Sequence, residues 1–300
     1  MMNRRQLLQY AGSTLAFGSQ TLHAQSGMLI EKVIPGTVDS LPAIGIGTNR
    51  YVVGDSSANA QLGQTLQLFH QLGGRLIDTA PMYRSSETVL GSLIDDLELQ
   101  GQFFLATKSD TDRDKGGRER VENSFTQLRT NTIDLMQIHN LRGLDMLPQL
   151  RELQAIDRIR YLGITTSRTQ QFPDFLQVMQ VEKLDFIQVN YSLADRQAAE
   201  RILPLARDKG LAVLVNLPLG RGQLFRKVQG QSLPGWAAEF GARSWAQFFL
   251  KYVISHPAVT CAIPGMRKLS HVEDNLGAAT GQLPTAAQRA RQESWFDALT

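Results

Sequence analysis

The sequence has a single cysteine, no long uninterrupted apolar run and no block of like charges. One cysteine cannot form a disulfide framework within the chain. Cys261 lies in the apolar run 259–263, which predicts a buried, inert thiol rather than a nucleophile. No apolar run reaches about 18 residues, so a transmembrane anchor is not expected. The 31 basic and 28 acidic residues are interspersed, which indicates mild basicity rather than a nucleic-acid-binding surface.

The composition is typical of one large soluble domain. The chain has 300 residues, of which 42% are hydrophobic and 20% are charged, and this is sufficient for a substantial core. No linker rich in proline, glycine or serine divides the chain. We therefore expect a single domain over residues 25–300.

The N-terminus has the pattern of an export signal. Residues 3–9, Asn-Arg-Arg-Gln-Leu-Leu-Gln, contain paired arginines, and a weakly apolar stretch follows over residues 7–18. Leu22-His23-Ala24 is a candidate cleavage site. We interpret residues 1–24 as a twin-arginine signal peptide, which predicts export of the folded protein to the periplasm by the twin-arginine machinery. The alternative is a short amphipathic helix with two solvated arginines.

From residue 43 onward, a short apolar run, a polar turn and an amphipathic segment follow one another repeatedly. Eight such alternations favour a closed parallel (β/α)8 TIM barrel over an open sheet. The predicted strands are residues 43–48, 76–80, 103–108, 133–139, 161–166, 186–192, 211–218 and 259–265. The predicted helices between them are residues 58–71, 86–99, 117–129, 146–159, 169–180, 195–208 and 244–255.

Two segments lie outside this alternation. Residues 33–41 contain Pro35-Gly36 and precede Pro42, and we expect them to cover the bottom of the barrel as a hairpin or loop. Residues 269–278 and 284–299 have the pattern of terminal helices.

Four polar residues follow the predicted strands at the end where a TIM barrel carries its chemistry. Asp78 ends the second strand and Tyr83 follows it, Lys108 ends the third strand, and His139 ends the fourth. Each residue has an ordinary explanation when taken alone; Asp78, for example, could cap the helix that begins near residue 86. Together they indicate a site.

The chemistry of these four residues is consistent with carbonyl reduction. Buried Asp78 requires a partner, and Lys108 would supply the charge. We expect the cation to lower the pKa of Tyr83 from about 10, so that Tyr83 gives a proton to a carbonyl oxygen. His139 would donate a hydrogen bond to the same oxygen. No cluster has the spacing of metal ligands, so this chemistry requires no metal.

Residues 34–279 resemble the aldo-keto reductase family. The resemblance rests on the following motifs: Gly45-Ile46-Gly47-Thr48, the Asp78 to Tyr83 segment, Ala106-Thr107-Lys108, residues 134–139, Gly163-Ile164-Thr165-Thr166-Ser167, Pro218-Leu219-Gly220-Arg221-Gly222, and Ile263-Pro264-Gly265 through Asn275. It implies a (β/α)8 barrel that binds NADPH in extended form and reduces aldehydes and ketones with an Asp, Tyr, Lys, His tetrad. All four tetrad positions match, as Asp78, Tyr83, Lys108 and His139.

The resemblance also implies the cofactor-binding positions. Gln188 matches the residue that holds the nicotinamide carboxamide, Thr165 and Thr166 replace a Ser-Asn pair, and Asn216 replaces an aromatic residue that often stacks on the nicotinamide ring. Arg267 or Lys268 would meet the 2′-phosphate of NADPH, although NADH is also possible. The other implied positions are Gly47, Thr48, Leu219, Gly220, Arg221, Gly222, Gly265, His271 and Asn275.

The sequence therefore predicts an NAD(P)H-dependent oxidoreductase that reduces an aldehyde or ketone to an alcohol, with Tyr83 as proton donor. The alternative is an exported nucleotide-binding barrel that acts as a sensor or interaction module with little turnover. The loops that would select a small carbonyl substrate are residues 50–57, 109–116, 140–145 and 220–235.

Overall fold

A computed structural model describes residues 28–54 and 56–299. The predicted signal peptide, residues 1–24, lies outside the described residues. In the described part of the chain, no helix is both long and apolar enough to cross a membrane.

Eight parallel strands form the barrel, and their order in the sheet is their order in the chain. The two end strands meet through bridges from Ile44 to Ala262 and from Gly47 to Gly265. The predicted (β/α)8 TIM barrel is thus confirmed. The barrel strands are β3 (Ile46–Gly47), β4 (Leu76–Asp78), β5 (Phe104–Ser109), β6 (Ile133–His139), β7 (Ile159–Thr165), β8 (Phe186–Asn190), β9 (Ala212–Asn216) and β10 (Cys261–Ala262).

Helices surround the sheet, and all but the short α7 lie where the apolar periodicity predicts a helix. Gly73, Gly101 and Gly210 follow helical segments with φ of 88°, 72° and 65°, the left-handed conformation that glycine adopts readily. The helices are α1 (Ser56–Gln71), α2 (Ser86–Asp96), α3 (Gly117–Leu128), α4 (Leu147–Ala155), α5 (Phe172–Val181), α6 (Ala198–Asp208), α7 (Gln223–Lys227), α8 (Trp245–Ile254), α9 (Leu269–Gly277) and α10 (Ala286–Asp297).

The segment before the barrel forms a hairpin. Strands β1 (Glu31–Val33) and β2 (Ser40–Pro42) pair antiparallel. Ile34 and Leu41 pack in one apolar cluster with residues that begin barrel strands, including Leu76, Phe104 and Phe186. The hairpin therefore covers the N-terminal end of the barrel, as predicted, and the opposite end is left for the site.

The first and last barrel strands are shorter than predicted. Only two residues of each have regular strand structure. Beyond them the contact continues through single hydrogen bonds, such as that from Gly47 N–H to the Pro264 carbonyl at 3.0 Å. Pro264 has no N–H to donate, so the ladder cannot extend through it.

Candidate active site

The C-terminal ends of the strands open into a cleft of about 870 Å³. Its walls include Asp78 at the end of β4, His139 at the end of β6 and Tyr83 in the turn after β4. This size is typical of a pocket for a cofactor or a drug-sized molecule. Three of the four predicted tetrad residues thus line one cleft, and Lys108 lies directly behind them.

The predicted ion pair between Asp78 and Lys108 is present and buried. Lys108 Nζ lies 2.7 Å from Asp78 Oδ2 and donates a second hydrogen bond, of 2.6 Å, to the Thr79 carbonyl. Gln188 Nε2 donates to Asp78 Oδ1 at 2.7 Å, and Gln137 Nε2 approaches the same oxygen at 3.4 Å. Both carboxylate oxygens therefore have donors, which offsets the cost of burying the charge.

Strand register places these groups together. Lys108 and Gln137 are paired neighbours on β5 and β6, and Gln137 is paired in turn with Gly163 on β7. A Cβ atom at Gly163 would lie 2.8 Å from the Phe186 carbonyl oxygen and 3.3 Å from Gln137 Cγ. Glycine at this position therefore leaves room for the Gln137 side chain that reaches Asp78.

Tyr83 lies between the ammonium group and the imidazole. The centre of its ring is 5.0 Å from Lys108 Nζ and 6.0 Å from the His139 ring centre, with the two rings at 86°. The Tyr83 N–H donates to the Ala80 carbonyl at 2.9 Å, which fixes the turn after β4. The phenol is therefore held at the cleft between a cation and a polar ring.

The prediction that the cation lowers the pKa of Tyr83 is wrong for this structure. Burial raises the pKa of Tyr83, and the positive charge of Lys108 opposes the rise without reversing it. For Lys108, burial is the largest single influence and disfavours the charged form, but the charges of Asp78 and Tyr83 and the hydrogen bonds to them together outweigh it, so the pKa is raised. Near neutral pH the site therefore holds a protonated phenol next to a charged ammonium group.

His139 is neutral in this environment. Only 6% of its surface is exposed, and burial followed by the charge of Lys108 lowers its pKa to about 3. Its Nδ1 atom is shielded from solvent and has no hydrogen-bond partner among the described residues. Because the ring lines the cleft, its remaining polar atom, Nε2, is the one available to a ligand.

Most of the predicted cofactor-binding residues line the same cleft. Thr166, Gly220 and Lys268 do not. The Thr166 hydroxyl donates to Gln171 Oε1 at 2.7 Å, so it faces the turn that precedes α5 instead. The residues that line the cleft are Gly47, Thr48, Thr165, Gln188, Asn216, Leu219, Arg221, Gly222, Gly265, Arg267, His271 and Asn275.

The cleft fits a nicotinamide dinucleotide at both ends. Asn216 Nδ2 donates to the Thr166 carbonyl at 2.9 Å, which leaves Asn216 Oδ1 buried without a donor among the described residues. An amide such as the nicotinamide carboxamide would supply the missing donor. Arg221 and Arg267 form none of the ion pairs found within the described residues, so their charges are available for phosphate groups.

Two residues of the site were not named from the sequence. Gln137, which is buried behind the cleft, precedes His139 by two residues on one strand, so the alternation of side chains could have placed it inside the barrel. Phe225 lies within the predicted substrate loop 220–235, on the short helix α7, which was not predicted, and the residue is 37% exposed at the cleft. No periodic pattern in the sequence indicates this position.

The sequence model of the Aldo/keto reductase family matches residues 43–291. The chain belongs to this family. Family membership indicates an oxidoreductase that acts on carbonyl compounds, in agreement with the cleft. Among the described residues, no cluster of three or more His, Cys, Asp or Glu side chains could hold a metal ion.

Characterised relatives support the assignment. The chain is 32% identical over 181 residues to the aldo-keto reductase YhdN of Bacillus subtilis, a match that covers 55% of this chain and 54% of that protein. It thus spans about half the length of this relative. It is 28% identical over 244 residues to the NADH-specific methylglyoxal reductase of Escherichia coli, which covers 69% of this chain and 73% of that enzyme.

A solved structure has the same fold. An aldo/keto reductase from Klebsiella pneumoniae, in complex with NADP and acetate, is 26% identical and superposes with a TM-score of 0.75. The match covers 89% of this chain and 96% of that one.

Proposed function

We propose that the protein is an NAD(P)H-dependent carbonyl reductase in which Tyr83 is the proton donor. The observation that carries this proposal is the position of the Tyr83 ring at the cleft, 5.0 Å from Lys108 Nζ and 6.0 Å from the His139 ring. A bound nicotinamide cofactor supplies the hydride for the carbonyl carbon.

The chain's own residues supply the proton and the orientation. Tyr83 donates its phenolic proton to the carbonyl oxygen as the hydride arrives, and Lys108 stabilises the phenolate that remains. Asp78 keeps Lys108 charged and in place. Because burial raises the pKa of Tyr83, the donor is fully protonated near neutral pH. His139 donates a hydrogen bond from Nε2 to the same oxygen and fixes its direction.

The cofactor is proposed to be NADPH. Arg267 lines the cleft, and Lys268 is exposed next to it in the chain, so both are suited to a 2′-phosphate. Because the E. coli relative is specific for NADH, the preference of this protein for NADPH over NADH has to be measured. If the proposal is right, Arg267→Met/Lys268→Met weakens NADPH binding and leaves NADH binding nearly unchanged. An equal loss for both cofactors would contradict it.

The substrate is proposed to be a small aldehyde or dicarbonyl. The E. coli relative is named for methylglyoxal, and the cleft of about 870 Å³ must hold substrate and cofactor together.

The test is NADPH and NADH oxidation with a panel of small aldehydes and diketones. We expect Tyr83→Phe to abolish turnover while cofactor binding, followed by fluorescence, is retained. Tyr161→Phe is the matched control, because its hydroxyl bonds Asp39 at the far end of the barrel. Equal rates for Tyr83→Phe and the wild type would refute the role of Tyr83. If the protein binds the cofactor tightly but no carbonyl compound oxidises the bound cofactor, the sensor alternative is favoured. No specific feature of the structure supports that alternative.

We also propose that the protein is exported to the periplasm by the twin-arginine route, on the strength of Arg4 and Arg5. Export of the folded chain would carry a bound cofactor with it. Cell fractionation of the wild type and of Arg4→Lys/Arg5→Lys tests this. Periplasmic wild type and cytoplasmic variant are expected, whereas a cytoplasmic wild type would refute export.

A further inference from the structure

Asp110 directly follows β5, and His139 is the last residue of the neighbouring strand β6. Ser109, the last residue of β5, pairs with Ile138, so the chain leaves β5 through Asp110 at the level of His139. The charge of Asp110 acts on the imidazole, and the imidazole acts on Asp110 in turn. A carboxylate therefore lies next to the imidazole that faces the cleft.

Asp110 does not bond His139, because Arg120 holds it. The Asp110 side chain is only 2% exposed. Arg120 Nε donates a short hydrogen bond to Oδ1, and Arg120 NH2 donates to Oδ2 at 3.0 Å. Thr111 adds a bond to Oδ1 at 3.1 Å. Both carboxylate oxygens are thus occupied by the forked guanidinium group, a geometry that lysine cannot reproduce.

One nitrogen of the imidazole is buried without a hydrogen-bond partner in the described part of the chain. His139 Nδ1 has no partner among the described residues, so a hydrogen on this atom would be a buried donor without an acceptor, which is costly. The hydrogen of the neutral ring is more stable on Nε2, at the cleft. The groups that act on the ring are Lys108 from β5, Arg120 from α3, Arg142 from the loop after β6, Tyr83 from the turn after β4, and Asp110.

Of these groups, Asp110 alone is an anion. It raises the pKa of His139, whereas burial and the three cations lower it. A released Asp110 would accept a hydrogen bond from Nδ1–H, as carboxylates beside histidine commonly do. That bond would stabilise the imidazolium and, in the neutral ring, would place the hydrogen on Nδ1. Nε2 would then present a lone pair to the carbonyl oxygen instead of a hydrogen.

We propose that Arg120 is a positioning residue of the carbonyl-reducing site, which withholds Asp110 from His139 and so keeps the imidazole neutral with its hydrogen on Nε2. The catalytic consequence of this inference rests on the proposed function. The part that does not is the charge and the hydrogen position of the His139 ring.

The test is ¹⁵N NMR of the histidine side chains in the cofactor-free protein, with His139 assigned from the signal lost in His139→Gln. In the wild type we expect a neutral ring with hydrogen on Nε2 from pH 5 to 8. In Arg120→Met we expect the pKa of His139 to rise into this pH range, with an imidazolium below the new pKa and an Nδ1–H ring above it. Asp110→Ala/Arg120→Met, which also removes the acceptor, should restore the wild-type spectrum. An unchanged ring in Arg120→Met would refute the proposal.

Activity gives a second signature that a merely structural role would not produce. The kcat of Arg120→Met should fall about 100- to 1,000-fold as pH rises through the new pKa of His139, the range expected when one oriented donor is lost. The double variant should have the flat profile of the wild type. Asp110→Asn alone should keep the wild-type ring and turnover; a large loss there would count against the proposal, even if Arg120→Met does not fold. If no variant turns over any carbonyl but the NMR result holds, the proposed function fails and the assignment to Arg120 stands.

Discussion

Replacing Lys108 by methionine leaves the Asp78 carboxylate buried without its counter-ion. The pair is almost fully shielded from solvent, with Nζ 2.7 Å from Oδ2. Within residues 28–54 and 56–299, only the amides of Gln188 and Gln137 remain as side-chain donors. Breaking a buried pair by removing one partner costs about 3–5 kcal/mol, because an uncompensated charge remains. We therefore expect Lys108→Met to lower the free energy of unfolding by about 3–5 kcal/mol, a large share of the ~5–15 kcal/mol of a typical domain.

Urea denaturation, followed by circular dichroism, measures this loss. Asp78→Asn/Lys108→Met removes both charges and should recover at least half of the stability lost in the single variant. Lys183→Met, at an exposed position, is the matched control and should change the free energy of unfolding by less than about 0.5 kcal/mol. The reasoning is refuted if Lys108→Met is as stable as the control, or if the double variant is no more stable than the single one.

Three further outcomes follow from buried titratable groups. Burial raises the pKa of Glu87, whose Oε2 has no partner among the described residues. The neutral carboxyl therefore favours folding below the unfolded-state pKa, and this contribution is lost as pH rises. In urea titrations, Glu87→Gln should be more stable than the wild type at pH 8 and similar to it at pH 4. Cys261 is fully buried and burial raises its pKa, so a thiol reagent should label it only after denaturation, and fast labelling of the native protein would contradict its burial. Burial lowers the pKa of His139 to about 3 and that of His256 to about 4. The free energy of unfolding should therefore fall below pH 6.5, by up to about 1.4 kcal/mol per pH unit for each histidine. His256→Gln should reduce that slope.

The sequence was sufficient to predict the barrel and the end of it at which the cleft opens. Both follow from local rules: apolar runs alternate with amphipathic segments, and polar residues such as Asp78 and Lys108 end the strands. Strand lengths were less predictable, because the short β10 depends on Pro264 and on closure against β3.

The electrostatics of the site could not be predicted in the same way. The wrong expectation for the pKa of Tyr83 took account of the Lys108 charge but not of burial, which depends on the packing of the whole turn. The pairing of Asp110 with Arg120 joins a loop to a helix ten residues further along the chain. Nothing in the spacing of these residues distinguishes that pair from two solvated charges.

The most direct test of the central claim is deuterium transfer from nicotinamide cofactor labelled at C4. NADPH and NADH carrying the label are incubated with the protein and a reducible dicarbonyl, and the alcohol is analysed by mass spectrometry. We expect label on the carbinol carbon with the wild type and none with Tyr83→Phe, although the variant still binds the cofactor. The account would be contradicted if Tyr83→Phe formed labelled alcohol at the wild-type rate. It would also be contradicted if the wild type formed no labelled alcohol from any carbonyl compound.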